Sequence, residues 1–424
     1  MKKLLIAALA VLATLLVALT LVFVFNTTNN SPPREYVPHI TNEPATEPPP
    51  QQPVNIRIQF AGDALMHSGP IGAAHTGQNA AGYETYDFRP FLRDIAPFIR
   101  AGDLNLINME TPVDAYGNNT RISTWPRFNV PFEVLEALDY AGFNHLIAAN
   151  NHTIDRGFPG VVATVENFRR AGLSSTGMYA SEEQFNTPTV IDVNGIQVGI
   201  VAYTESLNGL DPLLTPHQHT FVTRRFNFYD VTNGVPRIMA DVENLRAHGA
   251  EVIIVSLHWG AEYVNQPTVA QVRFARALSE AGVDIIMGHH SHTPQPIEWH
   301  YREDGTRGLI IYSLGNFLAD QTRLNPPDSR TQYTKLVTAN VRRYPDGTIV
   351  LGEAEVLPAY VMRDRTGNTL GAPNRIAILP IINGELPDFV QPAYLRARGR
   401  NAHAHLMRIV GGFDGQPFAP VIAR

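Results

Sequence analysis

The chain has 424 residues, 44% of them hydrophobic and 17% charged, with a net charge of -6. That composition supplies ample material for a core and excludes a disordered or fibrous chain; with no basic run beyond the first residues, it lacks the electrostatic footprint of a nucleic-acid partner. It contains no cysteine, which excludes disulfides, thiolate metal sites and a thiol nucleophile, so any metal must be held by His, Asp, Glu or Asn. The lack of cysteine also suits an exported protein.

The chain opens with "MKK" and an uninterrupted apolar stretch from Leu4 to Phe25, close to the roughly 20 residues that cross a bilayer as a helix. Secretory apolar segments usually run about 7 to 15 residues, and no small-x-small cleavage site follows. Residues 1–25 are therefore expected to form a single-pass transmembrane helix, lysines inside and body extracytoplasmic. The alternative is a signal sequence cut near "ALA", with a secreted body. Residues 26–53, rich in Pro, Thr and Asn and including "EPATEPPPQQP", cannot build a core and read as an extended spacer.

From residue 54 strand and helix signals alternate. "VNIRIQFAGD" is a strand with Ile56, Ile58 and Phe60 on one face. "FLRDIAPFIRAGD" reads as a helix, "LNLINME" as a strand, "PFEVLEALDYAG" as a helix, "FNHLIAANN" as a strand and "GVVATVENFRRAG" as a helix closed by Gly172. "TVIDVNGIQVGIVAYTE" predicts a hairpin turning at Asn194-Gly195, because both residues accept positive φ. Helices over "VPRIMADVENLRAHGA" and "VAQVRFARALSEAG" alternate with strands over "EVIIVSLHWG" and "VDIIMGHH", implying parallel pairing in an α/β domain. Hairpin strands around "DG" turns follow, to about residue 361. Residues 362–424 show no period and read as a C-terminal extension without an assigned role.

Polar residues gather at the predicted strand exits. They are Asp63 and His67 in "GDALMH", Asn108 and Glu110 in "NME", and Asn150, Asn151, His152 and Asp155 in "NNHTIDRG". Later exits add His258 and Glu262 in "HWGAE", His289, His290 and His292 in "GHHSH", and Asn316 in "SLGNF". The carboxyl ends of strands in an open α/β sheet share one edge, so these groups are expected to converge on one site.

Each has a simpler structural reading. Asp63 could cap a turn, Asn108 and Glu110 could end a strand in solvent, Asp155 could cap the helix beginning near Phe158, and His258 could be a satisfied core histidine. Three imidazoles within four residues are costly to bury unless something coordinates them, which favours the metal reading. His75, His145, His217, His219, His300, His403 and His405 lack such company and read as surface or packing residues. Imidazole, carboxylate and amide oxygen suit manganese, zinc or iron, whereas calcium would want more carboxylates. The set has room for two ions, and a pair about 3.5–4 Å apart would support hydrolysis.

In order, "GD…H", "NME", "FNVP", "ANNHTIDRG", "HWGAEY", "GHHSHTPQPIE" and "YSLGNF" span roughly residues 55–320. This order resembles the capsule biosynthesis (CapA) proteins, the poly-γ-glutamate group related to calcineurin-like metallophosphatases. The resemblance implies a metallophosphatase-like sandwich of two β-sheets flanked by helices. It also implies Asp63, Glu110, Asn151, His258 and His292 as metal ligands, with His152 facing a substrate phosphate and oriented by Asp155. Either His289 or His290 could pair with His292. The sequence departs from the phosphatase pattern where Asp63 and His67 are four rather than two apart, and where Glu110 replaces the usual aspartate. The implied partners are an anionic cell-surface polymer or a phosphoester, and capsule synthesis subunits. An alternative role is a non-catalytic export or assembly subunit that binds metal or polymer without turnover.

Overall fold

The computed structural model describes residues 52–115, 121–321, 329–371, 375–410 and 419–420. No helix among them is long and apolar enough to cross a membrane. The apolar stretch at residues 4–25 and nearly all of the spacer lie outside them.

The strands, in chain order, are β1 (Val54–Leu65), β2 (His75–Gln78), β3 (Glu84–Tyr86), β4 (Leu104–Met109), β5 (His145–Ile147), β6 (Ser174–Thr176), β7 (Thr189–Val193), β8 (Ile196–Thr204) and β9 (Arg224–Arg225). They continue with β10 (Val252–His258), β11 (Ile285–His289), β12 (Ile297–Tyr301), β13 (Arg307–Ile311), β14 (Asn316–Ala319), β15 (Tyr333–Arg343), β16 (Ile349–Asp364), β17 (Arg375–Pro380) and β18 (Ala419–Pro420). One sheet runs β17-β16-β15-β1-β4-β5-β6, with β14 also beside β1 and β18 beside β16; the other runs β12-β13-β11-β10-β8-β7, with β9 beside β8.

The sheets face each other across a shared core. Ile56, Ile58 and Phe60 of β1 and Leu104 and Leu106 of β4 meet Ile254, Ile285, Met287, Leu309 and Ile311 of the opposite sheet. Each such fully buried side chain contributes about 1.5–3 kcal/mol. The outer face of the first sheet, with Ile107 and Met109, packs on helices that include Glu133–Ala141 and Gly157–Arg170. Helices Val231–Ala247 and Val269–Glu280 cover the other sheet through Ile238, Val242, Phe274 and Leu278. The result is a mixed α/β sandwich with helices outside both sheets, and strands buried on both faces read as nearly continuous apolar runs.

The Asn194-Gly195 turn forms as expected: Val193 pairs with Ile196, and the turn residues have φ +51° and +88°. Two expectations change. "FLRDIAPFIRAGD" is split into the short helices Arg89–Leu92 and Ala96–Ile99, because Pro97 cannot supply an N–H to continue the first. The boundary placed at residue 361 falls inside β16, and β17 pairs with that strand. Helix Ala393–Val410 sends Leu395, Ala402, Leu406 and Ile409 into the inter-sheet core, so the segment completes the domain.

One close approach sets up the site. A Cβ on Gly62 would lie 1.8 Å from the Gly315 carbonyl oxygen, which accepts the Asp63 N–H at 2.9 Å. Only glycine lets β1 come this near the turn before β14, and the pairing slips beside Asp63, re-aiming its carboxylate as β-bulges do.

Candidate metal centre

Asp63 stands in register with Asn108 on β4 and Asn316 on β14, while His258 stands beside His289 across β10 and β11. Glu110 follows β4, the "NNHTID" turn follows β5, and His290 and His292 follow β11. Local bonds shape that turn: Asn150 Oδ1 accepts the His152 N–H at 3.1 Å, and Thr153 Oγ1 accepts the Asn150 N–H at 3.0 Å. His290 and His292 have φ +92° and +55°, a left-handed strain held by the packing around them.

The groups converge as expected from the sequence. Ligand atoms of Asp63, Glu110 and His258 lie within 4.8 Å of one another, and so do those of Glu110, His290 and His292. Glu110 belongs to both sets. His258 Nε2 faces two acceptors, Asn151 Oδ1 at 2.9 Å and Glu110 Oε1 at 3.4 Å, and a single ring proton satisfies only one of them. Glu110 Oε1 and one ring nitrogen each of His258, His289 and His290 are buried without a hydrogen-bond partner among the described residues. Buried groups of this kind are normally paired, so the donor set fits a divalent cation.

Electrostatics divide the two carboxylates. Burial would raise Asp63, but hydrogen bonds and charge from His289 and His292 hold it far below the usual carboxylate range. Glu110 is pushed well above that range by burial and then by the Asp63 and Glu262 charges. Burial, followed by neighbouring imidazoles, drives His258 well down and His290 to about 3. Both are therefore neutral, the form in which imidazole binds a metal. For His292 the hydrogen bond and charge of Asp63 outweigh burial and raise it.

Beside the centre, His152 Nδ1 donates to Asp155 Oδ2 at 2.8 Å, and the same oxygen accepts the Phe128 N–H at 2.7 Å. This leaves His152 Nε2 for a cleft of about 400 Å³. Helix Gly157–Arg170 starts after Arg156 with no side-chain cap, so Asp155 orients an imidazole and does not cap the helix.

The remaining candidates support this set or lie at its rim. Asn108 Nδ2 donates to Asp63 Oδ1 at 2.8 Å, and Asn150 Nδ2 donates to the Met109 carbonyl at 2.9 Å. His289 Nδ1 lies 3.1 Å from Asp63 Oδ1, and Asn316 Oδ1 3.1 Å from His292 Nδ1. Glu262 Oε1 is 3.9 Å from His292 Nε2. His67 lies outside both ligand groups, edge-on to Phe128 with 5.3 Å between ring centroids. Both rings line the cleft, together with residues that sequence reasoning missed, among them Trp125, Arg127, Asn208, Tyr263 and Gln321. Arg127 Nε donates to the Asp155 carbonyl at 2.7 Å. Its place just before "FNVP" was the available signal. Of the histidines read as packing residues, His145 is fully buried between Ser174 and Thr176 hydroxyls at 2.8 and 3.0 Å.

Residues 57–321 match the family described as "Bacterial capsule synthesis protein PGA_cap". The chain is 31% identical over 271 residues to the PGA biosynthesis protein CapA of Bacillus subtilis (strain 168), covering 64% of this chain and 67% of that one. It is 28% identical over 271 residues to the capsule biosynthesis protein CapA of Bacillus anthracis, covering 63% and 61%. Among solved structures, Haemophilus influenzae NAD nucleotidase aligns at 12% identity with a TM-score of 0.41, over 85% of this chain and 64% of that one.

Proposed function

Because the chain belongs to the bacterial capsule synthesis protein PGA_cap family, we propose that it is a membrane-tethered, extracytoplasmic metallohydrolase of capsule or poly-γ-glutamate metabolism. The observation that carries this reading is the sharing of Glu110 by two ligand groups, one of which reaches the cleft through His292, where the Asp155-oriented His152 also lines the wall. Asp63, Glu110, Asn151, His258, His290 and His292 would hold one or two ions of manganese, zinc or iron. A cation there would supply Lewis acidity to a scissile phosphoester or amide and make a nearby water a stronger acid.

The chain's own residues do the rest. Asp155 accepts a hydrogen bond from His152 Nδ1–H and turns Nε2 toward the cleft, and in the doubly protonated ring Nε2 carries the proton that passes to a leaving group, leaving neutral imidazole. Asn108 and Asn316 brace Asp63 and His292 through hydrogen bonds, as residues behind metal ligands commonly do. Residues 1–25, with their apolar stretch from Leu4 to Phe25, serve as the anchor and residues 26–53 as the spacer holding the body off the membrane. Extraction at alkaline pH should leave the chain in the membrane pellet; release would mean that the stretch is a cleaved signal.

The deciding experiment is elemental analysis of the full-length protein purified in detergent, followed by hydrolysis of bis(p-nitrophenyl) phosphate and of poly-γ-glutamate with added Mn²⁺. His152→Ala should abolish turnover and keep the metal. Bound metal without turnover of either compound would instead indicate an assembly or export subunit.

A further inference from the structure

Tyr263 faces the cleft and has no part in the ligand sets. Its backbone lies at φ +62°, an outlier for a bulky side chain that persists only where the surroundings over-determine it. Here they do. The Tyr263 N–H donates to the Ser291 carbonyl at 2.7 Å, and its carbonyl accepts from Arg330 at 3.4 Å. The next carbonyl, of Val264, accepts from Thr293 Oγ1 at 2.9 Å and from Gln295 Nε2 at 2.7 Å. The Gln295 carbonyl in turn accepts from the buried Lys335 ammonium at 2.5 Å.

A line of amides sets the direction of the phenol's hydrogen bonds. The Thr331 carbonyl can only accept, so the group 3.0 Å from it on Asn316 is Nδ2, and Oδ1 faces His292 Nδ1. That ring nitrogen therefore carries the proton. Asn316 Nδ2 also donates to Gln321 Oε1 at 2.8 Å, so Gln321 Nε2 is the group that donates to the Tyr263 phenol oxygen at 3.3 Å. With that oxygen already accepting, the phenol's own proton turns away from Gln321. The ring lies 5.9 Å, centroid to centroid, from His292, and the Glu262 carboxylate on the same wall draws the phenol's proton in the resting site, so an oxyanion entering the cleft takes over that bond from Glu262.

We propose that Tyr263 is a catalytic residue whose phenol donates a hydrogen bond, without giving up its proton, to an oxyanion of the scissile group, with Gln321 and Asn316 as the positioning residues that aim it. The proposal rests on the metallohydrolase reading and is tested so that the two can fail separately. Full-length Tyr263→Phe and Gln321→Leu proteins are compared with wild type for metal content, for kcat and KM on bis(p-nitrophenyl) phosphate with Mn²⁺, and for the Kd of inorganic phosphate by calorimetry.

A single oxyanion donor is worth about 10²–10³ in kcat in well-studied enzymes. Tyr263→Phe should lose activity on that order, chiefly in kcat, weaken phosphate binding and keep its metal; Gln321→Leu should show a smaller loss of the same kind. Values within twofold of wild type for kcat and phosphate Kd in Tyr263→Phe overturn the proposal. Should that variant lose its fold, an unchanged Gln321→Leu overturns it instead. A wild type that turns over neither bis(p-nitrophenyl) phosphate nor poly-γ-glutamate refutes the metallohydrolase reading and with it catalysis by Tyr263, while the phosphate comparison still decides whether the phenol is an anion donor.

Discussion

Replacing Asp155 by Asn tests the acid most directly. Asp155 Oδ2 takes two donors, His152 Nδ1 at 2.8 Å and Phe128 N at 2.7 Å, while Oδ1 is buried with no partner among the described residues. An asparagine should keep its carbonyl oxygen where the two donors converge, so the ring stays in place while the negative charge behind it is lost. Hydrogen bonds to charged groups contribute about 1.5–3 kcal/mol and neutral ones about 0.5–1.5, so about 1–1.5 kcal/mol is lost, and each 1.36 kcal/mol is tenfold in rate. The expected fall in kcat is therefore about 5- to 13-fold, with KM and metal content unchanged. The new amide NH₂ occupies the Oδ1 position without an acceptor, which lowers stability by about 1–3 kcal/mol. Steady-state kinetics on bis(p-nitrophenyl) phosphate, elemental analysis and thermal unfolding measure all three. A kcat within twofold of wild type at full metal content would refute the role given to Asp155, as would an activity loss matched by metal loss.

Two further substitutions probe burial. Glu110→Gln removes the shared ligand and also the carboxyl set against Asp63, so metal content should fall while the chelated protein becomes more stable, by about 1–3 kcal/mol; full metal occupancy would remove Glu110 from the ligand set. Burial pushes the Lys335 ammonium from its ordinary 10.5 down to about 7, so between those values the unfolded chain binds a proton that the folded chain lacks, and stability rises with pH. Wild type should accordingly gain on Lys335→Met by up to about 1.4 kcal/mol per pH unit across this window in denaturant titrations, and a constant difference would contradict the burial argument.

The ligand types and their segments were readable in the chain because metal chemistry restricts the usable side chains and strand ends are marked by apolar runs. Those signals placed Asp63, Glu110, Asn151, His258 and His292 within a wider set of strand-exit candidates, the family resemblance singled out these five, and the geometry brings them together. The choice between His289 and His290 was not readable, because adjacent residues point apart by an amount that backbone φ decides. His290, at φ +92°, joins Glu110 and His292, while His289 bonds Asp63. Asp155 was ambiguous for a similar reason, since a carboxylate before a helix can cap it or hold a neighbouring ring.

The helical period within residues 393–410 is faint because Gly399 and Ala402 supply part of the buried stripe of helix Ala393–Val410, and β17 lies at a sheet edge, so the place of both depends on the sheet already being formed. What the sequence determined by itself was local: apolar periodicity, the Asn194-Gly195 turn, the apolar N-terminal stretch and the inventory of donors. Tertiary structure alone decided which donors meet, which oxygen each ring faces and how Tyr263 is held, because those depend on contacts between residues as far as 229 positions apart, which no local preference encodes.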